Sequence, residues 1–181
     1  AFRERGAERL VVDLRGNGGG MDNAAALLLA HLLTEPVEVT QWQGHTAYQA
    51  IPEALRPHVR SWSNDFYDLG DSVTPTGDGT FALATRSPVT VSPAPDDFDG
   101  KVAVLIDAGP ASATCYLADT SQQAGAAPLV GQTTGGSLKG LNGGQMVFLT
   151  LRHPGYDVAV ALNGALRVTH GTARGDAPDV H

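Results

Sequence analysis

The chain has 181 residues, 42% of them hydrophobic and 17% charged, which is typical of a single globular domain that buries a substantial core. Its 19 acidic and 12 basic residues give a net charge of −7 without any cluster of Lys or Arg, so nucleic acids and anionic membranes are poor candidate partners. The longest apolar run, 24–33, is too short to span a bilayer, and we expect no membrane insertion.

The first six residues are charged and lack the apolar core of a signal peptide. They are typical of the end of a helix, and we expect the chain to be a fragment or a processed product that lacks its N-terminal segment. Cys115 is the single cysteine and allows no internal disulfide, and no Cys/His pairs have metal-ligand spacing. The sequence therefore indicates neither a cofactor nor a metal, and it leaves the compartment unknown.

A strand is predicted at 10–14, and it runs directly into the glycine-rich loop Arg-Gly-Asn-Gly-Gly-Gly at 15–20. The spacing matches neither the G-x-G-x-x-G dinucleotide motif nor a P-loop, which needs a following Lys. Repeated glycines let a backbone expose its N–H groups, and such groups form oxyanion holes. A helix capped by Asp22 or Asn23 is predicted to follow through Leu33, with apolar residues on nearly every side.

The segment 37–100 has a weaker pattern. Strands are predicted at 37–42, 80–85 and 89–91, a short helix at 54–62, and a polar, proline-rich link at 92–100. Within this segment, 44–79 is rich in aromatic residues and is interrupted by Pro52 and Pro57. Such a stretch is typical of a lid over a site or of an insertion packed on the surface.

The segment 102–118 has the pattern of a buried strand, a Gly-Pro turn and the start of a helix that continues to 124. Ser112 falls at the turn, where the N–H groups and positive dipole end of the helix would surround its hydroxyl and favour a nucleophile. Serine is also among the commonest N-cap residues in helices without any catalytic role. The local sequence differs from the G-x-S-x-G turn of α/β-hydrolases, so both interpretations stay open at this point.

The last third of the chain is predicted to be mostly strand. A strand at 128–132 precedes a second flexible, glycine-rich loop at 133–144. Strands at 145–151 and 158–162 follow, joined across 153–155, and 165–169 adds another. No internal repeat or low-complexity tract interrupts this order.

Four motifs stand in a familiar order. They are Leu-Val-Val-Asp-Leu-Arg-Gly-Asn-Gly-Gly-Gly at 10–20, Gly-Pro-Ala-Ser-Ala-Thr-Cys-Tyr at 109–116, Leu-Val-Gly-Gln-Thr-Thr-Gly-Gly at 129–136 and Ala-Pro-Asp-Val at 177–180. Together they resemble the C-terminal processing (tail-specific) peptidase family, which includes the tricorn protease core and the interphotoreceptor retinoid-binding proteins. The resemblance covers nearly the whole chain and thins out between 44 and 100.

This resemblance implies an α/β fold with a crotonase- or Clp-like core of ββα units, and a serine hydrolase that cuts peptide bonds. The family's nucleophile matches Ser112, and its oxyanion hole resembles a backbone N–H of Gly18 or Gly19 together with that of Ala113. The predicted organisation is a single tail-specific-peptidase-like catalytic domain over 1–181, with 44–79 as a lid or insertion.

The general base departs from the family pattern. In the processing peptidases a lysine follows the second loop, but the aligned position here is Ser137, and Lys139 reaches the site only if the loop carries a two-residue insertion. The tricorn-like branch uses a histidine upstream of the first strand, in a segment absent from this chain. His45 and His170 are further candidates without an orienting context, and Cys115 is more typical of a core residue than of a nucleophile.

The resulting hypothesis is a serine peptidase of the tail-specific or tricorn type that acts on a peptide or protein, and whether this chain is active alone is left open. One alternative is a catalytically inactive binding protein of the same fold, with the aromatic residues of 42–67 lining an apolar or peptide site. The other is a crotonase-type enzyme acting on an acyl-CoA. Association with the missing N-terminal segment or with a second copy is a further expectation, and the resemblance allows an extracytoplasmic location.

Overall fold

The computed structural model describes residues 5–39, 42–84, 89–151, 155–167 and 175–181. The chain divides into two compact units: the first takes Ala1–Gln41, Pro88–Lys139 and Thr169–His181, and the second takes Trp42–Ser87 and Gly140–Val168. The segment 44–79 falls wholly within the second unit. A single catalytic domain with a lid or insertion at 44–79 stays a prediction.

The described elements are mostly short strands with two α-helices. In chain order they are β1 (Arg9–Asp13), α1 (Asp22–Leu32), β2 (Val37–Val39), β3 (Trp42–Thr46), β4 (Val59–Ser61), β5 (Val73–Pro75), β6 (Phe81–Leu83), β7 (Val89–Val91), β8 (Lys101–Ile106), α2 (Ala113–Gln123), β9 (Leu129–Gly131), β10 (Gly140–Asn142), β11 (Met146–Thr150), β12 (Asp157–Ala161) and β13 (Asn163–Arg167). Short 3₁₀ helices span Glu53–His58, Asn64–Tyr67 and Gly70–Ser72. Within these ranges, none of the helices has the length and apolar character needed to cross a membrane.

The first unit is built on a parallel sheet in the order β1-β8-β9, so the segment around Ser112 begins on the central strand. Val104 and Ile106 alternate along β8 and are almost completely buried, together with Leu29 of α1 and Leu117 of α2. The two helices pack against each other over this core. β2 and β7 form a separate antiparallel pair.

The helix α1 corrects two details of the sequence prediction. Its buried residues are Ala25, Leu29 and Leu32, which share one face, whereas Leu27 is 64% exposed. The helix is therefore amphipathic in its packing, although its composition is apolar on nearly every side. The N-cap position is Met21, which makes no side-chain capping bond, and Asp22 lies inside the first turn, where the helix dipole favours a carboxylate.

The second unit is antiparallel throughout its described strands. One sheet has the order β10-β13-β3-β6-β5 and the other the order β12-β11-β4, with a small core of Ile51, Val59 and Val147. The predicted helix at 54–62 is wrong: the 3₁₀ helix ends at His58, and β4 follows because it pairs with β11, whose Leu149 lies opposite Val59. The predicted strand at 37–42 is likewise divided between β2 and the start of β3, with residues 40 and 41 outside the described ranges.

Candidate active site

Three loops of the first unit meet at one edge of its sheet. Because β1, β8 and β9 are parallel, the loops that follow them leave from the same edge. The register places Asp13 opposite Leu105, and Ile106 opposite Gly131. The first glycine loop (15–20), the serine turn (107–112) and the second glycine loop (133–136) therefore lie side by side.

Ser112 lies at the N-cap position, immediately before α2, in a strained conformation. Its φ is 53° and its ψ −129°, and among the described residues it is the non-glycine residue with positive φ. Such a conformation costs about 1–3 kcal/mol and is concentrated at functional sites. An ordinary N-cap serine has an extended backbone and a capping hydrogen bond, whereas Ser112 has neither, and the residue is exposed. The N-cap interpretation therefore fails on geometry.

The first glycine loop touches Ser112 directly. A Cβ atom on Gly19 would lie 2.7 Å from the Cβ of Ser112 and 2.9 Å from the carbonyl oxygen of Ala111. Gly19 also has a φ of 113°, which L side chains rarely adopt. Glycine is thus required here both for the turn and for the approach to the serine.

Within the described ranges, two backbone N–H groups are available to an acceptor, one at the start of α2 and one in the first glycine loop. In the first turn of α2, Thr114 N–H donates to Ala111 O and Tyr116 N–H to Ser112 O, at 3.2 Å and 3.1 Å. The N–H groups of Ala113 and Gly18 make no hydrogen bond within the described ranges. Gly19 N–H, by contrast, donates to the side-chain oxygen of Asn17 at 3.0 Å. Ala113 and Gly18 are therefore the better pair of donors for an oxyanion.

The second glycine loop lies on the other side of the serine turn. Gly135 packs beside the carbonyl oxygen of Ala108, and Gly136 beside the sulfur of Cys115. Thr134 is buried and accepts the N–H of Asp176 at 2.7 Å through its hydroxyl. The C-terminal segment thereby holds this loop in place.

The Pro-Asp motif near the C-terminus has a structural role. The Asp179 carboxylate accepts the N–H of Leu129 at 2.7 Å and the amide of Gln122 at 2.8 Å. Gly131 N–H donates to Val180 O at 2.9 Å, so the segment continues the sheet beside β9. This motif fastens the chain end to the strand and helix that support the site.

Cys115 is inert in this environment. The residue is buried, its thiol donates to Pro110 O at 3.2 Å, and burial raises the pKa of the thiol. A thiolate, which is the reactive form, is therefore disfavoured. Ser112 remains the nucleophile candidate of this turn.

Charged residues bracket the first glycine loop. Arg15 donates to both carboxylate oxygens of Asp13 at 2.9 Å and 2.7 Å, and these bonds lower the pKa of Asp13 from 3.8 to about 2. Asp107 accepts the N–H of Gly16 at 3.0 Å and that of Gly109 at 2.8 Å, and these bonds lower its pKa. Sequence reasoning missed Asp107, although Asp-x-Gly directly after a buried strand is a signal for an Asx turn.

The structure does not join any candidate base to Ser112. Within the described ranges, no side chain hydrogen-bonds to the Ser112 hydroxyl, and no group of His, Cys, Asp or Glu is suited to a metal. Lys139 is exposed, and its backbone N–H donates to the hydroxyl of Ser137 at 3.3 Å. His45 lies on β3 of the second unit, opposite Gly164, and His170 falls outside the described residues.

The fold and these motifs agree with comparisons to known proteins. The model of peptidase family S41 matches residues 1–154, so the chain belongs to this family and the predicted resemblance is confirmed. No sequence among curated proteins matches the chain significantly.

Several solved structures share the fold. A candidate peptidase from Parabacteroides merdae is 21% identical with a TM-score of 0.56, over 97% of this chain and 45% of that one. The photosystem II D1 C-terminal processing protease is 19% identical with a TM-score of 0.52, over 99% and 36%. Mature CPAF is 17% identical with a TM-score of 0.55, over 96% and 38%. The chain thus spans less than half the length of each of these structures.

Proposed function

We propose that the protein is a serine peptidase of the tail-specific or tricorn type, with Ser112 as its nucleophile and a peptide or protein as its substrate. The observation that carries the proposal is the conformation of Ser112, strained and exposed at the start of α2 and touched by Gly19. Strain of this kind holds a hydroxyl clear of the helix. A crotonase-like core of ββα units is the finer fold that we propose for the first unit.

The proposed reaction is acyl transfer followed by hydrolysis. The Ser112 oxygen attacks the carbonyl carbon of the scissile peptide bond while a general base takes the hydroxyl proton. The carbonyl oxygen becomes negative and accepts the N–H groups of Ala113 and of Gly18 or Gly19. The C–N bond then breaks, the protonated base gives its proton to the leaving amine, and water releases the acyl group by the same route.

The two parts of the oxyanion hole contribute differently. Ala113 N–H sits at the positive end of the α2 dipole, which adds to its attraction for a negative oxygen. Gly18 N–H is already available, whereas Gly19 N–H would first have to leave Asn17. We therefore favour Gly18 over Gly19 as the second donor.

Four groups are candidates for the general base. They are a histidine upstream of β1, Lys139, His45 and His170. Alanine variants of Lys139 and His45, assayed separately, test two of them, since losing the general base costs several orders of magnitude in kcat. Wild-type turnover in both variants would leave the upstream histidine and His170 as candidates.

The deciding experiment compares Ser112→Ala with Ser121→Ala in the full chain. Ser121 lies on the same helix, fully buried, and its hydroxyl has no partner within the described ranges, so it is a matched control. We expect a fluorophosphonate to label wild type and S121A but not S112A, and peptide turnover to fall by several orders of magnitude in S112A. Turnover that is unchanged in S112A contradicts the assignment.

The same probes separate the alternatives. A folded wild-type protein that includes the segment upstream of β1, and that neither reacts with the fluorophosphonate nor cleaves peptides, supports a binding protein of the same fold. Turnover of an acyl-CoA that survives Ser112→Ala supports a crotonase-type enzyme, which needs the oxyanion hole and not the serine.

A further inference from the structure

The serine turn and the first glycine loop are joined at a second point, away from Ser112. The oxygen Oδ1 of Asp107 accepts the N–H of Gly109 at 2.8 Å within its own turn. The same oxygen accepts the N–H of Gly16 at 3.0 Å, from a loop 91 residues earlier in the chain. A single carboxylate oxygen therefore connects the two loops that would form the oxyanion hole.

We call this connection, formed by Asp107, Gly16 and Gly109, the joint. The backbones of the two loops are in contact there. A Cβ atom on Gly109 would lie 2.6 Å from the Cα of Gly16 and 2.9 Å from its nitrogen, so a side chain at 109 would push the loops apart. Since the chains approach this closely, the Asp107 oxygen can accept both N–H groups without a bridging water.

The joint lies close to the reacting groups on both sides. Gly16 is two residues before Gly18, and Gly109 is three residues before Ser112. The distance between the Gly18 N–H and the serine oxygen therefore depends on how the loops are held together. A displacement of about 1 Å in such an arrangement can cost about 100-fold in rate.

The N–H groups of Gly16 and Gly109 lower the pKa of Asp107 below its usual value, and the charge of Arg15 lowers it further, so Asp107 is ionised. Arg15 is the nearby cation, and the nearby anion, Asp13, is itself bound by Arg15 through two hydrogen bonds. A carboxylate is the stronger acceptor for backbone N–H groups. The joint is thus intact at neutral pH.

We propose that Asp107 is a positioning residue, which sets the oxyanion donors of the first glycine loop against the Ser112 hydroxyl by accepting Gly16 and Gly109 with one oxygen. The catalytic part of this proposal rests on the peptidase function proposed above. The structural part, that Asp107 holds the loop, does not.

The test compares Asp107→Ala, Asp107→Asn and the control Asp68→Ala in the full chain. Asp68 forms the same Asp-x-Gly turn, accepting Gly70 N–H at 3.0 Å, but in the second unit. We expect D107A to lower kcat by about 100-fold with little change in KM, because binding of the ground state does not need the oxyanion geometry. D107N should stay within about threefold of wild type, since an amide oxygen retains two acceptor lone pairs.

A second variant protects the test against misfolding. Gly109→Ala keeps the carboxylate but places a Cβ against Gly16, and we expect it to reproduce the kcat loss of D107A. D68A should leave kcat unchanged while losing a comparable turn. Wild-type kcat in folded D107A and G109A, or equal losses in D107A and D107N, would overturn the positioning role.

Hydrogen exchange separates failure of this proposal from failure of the peptidase assignment. In D107A, amides 14–20 should exchange faster than in wild type and in D68A, whatever the activity. Unchanged exchange in this loop contradicts the joint. Faster exchange in D107A, together with a wild type that includes the segment upstream of β1 and does not react with a fluorophosphonate, keeps the joint and rejects the peptidase assignment.

Discussion

At the scale of single residues, the conformation of Ser112 is the feature that the rest of the site depends on. Its φ of 53° and ψ of −129° are the mirror image of an extended conformation that L residues favour. Glycine adopts that mirror image without strain, and any side chain raises its energy. A serine at this position therefore lowers the stability of the fold relative to glycine. Such strain is typical of residues whose side chain has a function.

Replacement of Ser112 measures this strain. We expect Ser112→Gly to be more stable than Ser112→Ala by about 1 kcal/mol, because glycine relieves the strain and alanine keeps it. Both variants lack the hydroxyl, so the difference reflects the backbone. Urea unfolding of the two proteins gives the comparison, and an alanine variant at least as stable as the glycine variant would contradict it.

Asp13 makes a second residue-scale prediction, for the acid range. Its pKa is about 2 when folded and 3.8 otherwise, so its contribution to stability is complete above about pH 5 and is lost as the pH falls through 2. Wild type should therefore lose more stability than Asp13→Asn between pH 4 and pH 2. Urea midpoints at a series of pH values measure this, and parallel curves for the two proteins would refute it.

At the scale of elements, the strands β3 and β13 show how close packing decides where glycine is needed. Gly44 on β3 has no room for a side chain, because a Cβ would lie 2.6 Å from the Cδ1 of Leu83 and 3.0 Å from its Cβ. Gly164 on the neighbouring β13 meets only the carbonyl oxygen of Leu141, at 3.7 Å. Two glycines on paired strands therefore have different reasons to be present.

Alanine substitution distinguishes these two glycines. We expect Gly44→Ala to destabilise the protein by about 1–3 kcal/mol, as overpacking usually does. Gly164→Ala should be neutral or slightly stabilising, since glycine weakens a strand. Thermal or urea unfolding of both variants checks the pair, and equal effects would show that space at Gly44 is not limiting.

Local patterns predicted the elements that depend on local sequence. The apolar run of β8, the Gly-Pro turn and the start of α2 at Ala113 fall where the sequence places them. The region 54–62 failed because β4 is set by pairing with β11, almost ninety residues away, which periodicity cannot reveal. Similarly, the family resemblance implied that the first glycine loop lies near Ser112. The hydrogen bond from Gly16 N–H to Asp107 could not be predicted, because it depends on the register between β1 and β8.

At the scale of the whole molecule, the two compact units differ in the depth of their cores. Val104 and Ile106 at the centre of the first unit are each 1% exposed, within a cluster drawn from both helices and the parallel sheet. The cluster of the second unit is smaller, and its buried members are Ile51, Val59 and Val147. Local opening should therefore cost less in the second unit.

Amide exchange at two central strands tests this difference. β8 lies between two strands in the first unit, and β11 lies between two strands in the second, so both are protected on both sides. We expect the amides of β11 to exchange faster than those of β8 under native conditions. Equal protection of the two strands would mean that the smaller core is no less stable.

The hydrogen bond between Asp107 and Gly16 also affects when the candidate active site can form during synthesis and folding of the chain. During synthesis the first glycine loop is made before Asp107, which follows Gly16 by 91 residues. Bringing the two together costs loop-closure entropy, which is compensated only when β8 can pair with β1. The nascent chain therefore carries the loop without the serine turn while the segment between Gly16 and Asp107 is made. On the proposed function, the protein becomes able to cut peptides only after these distant segments have met.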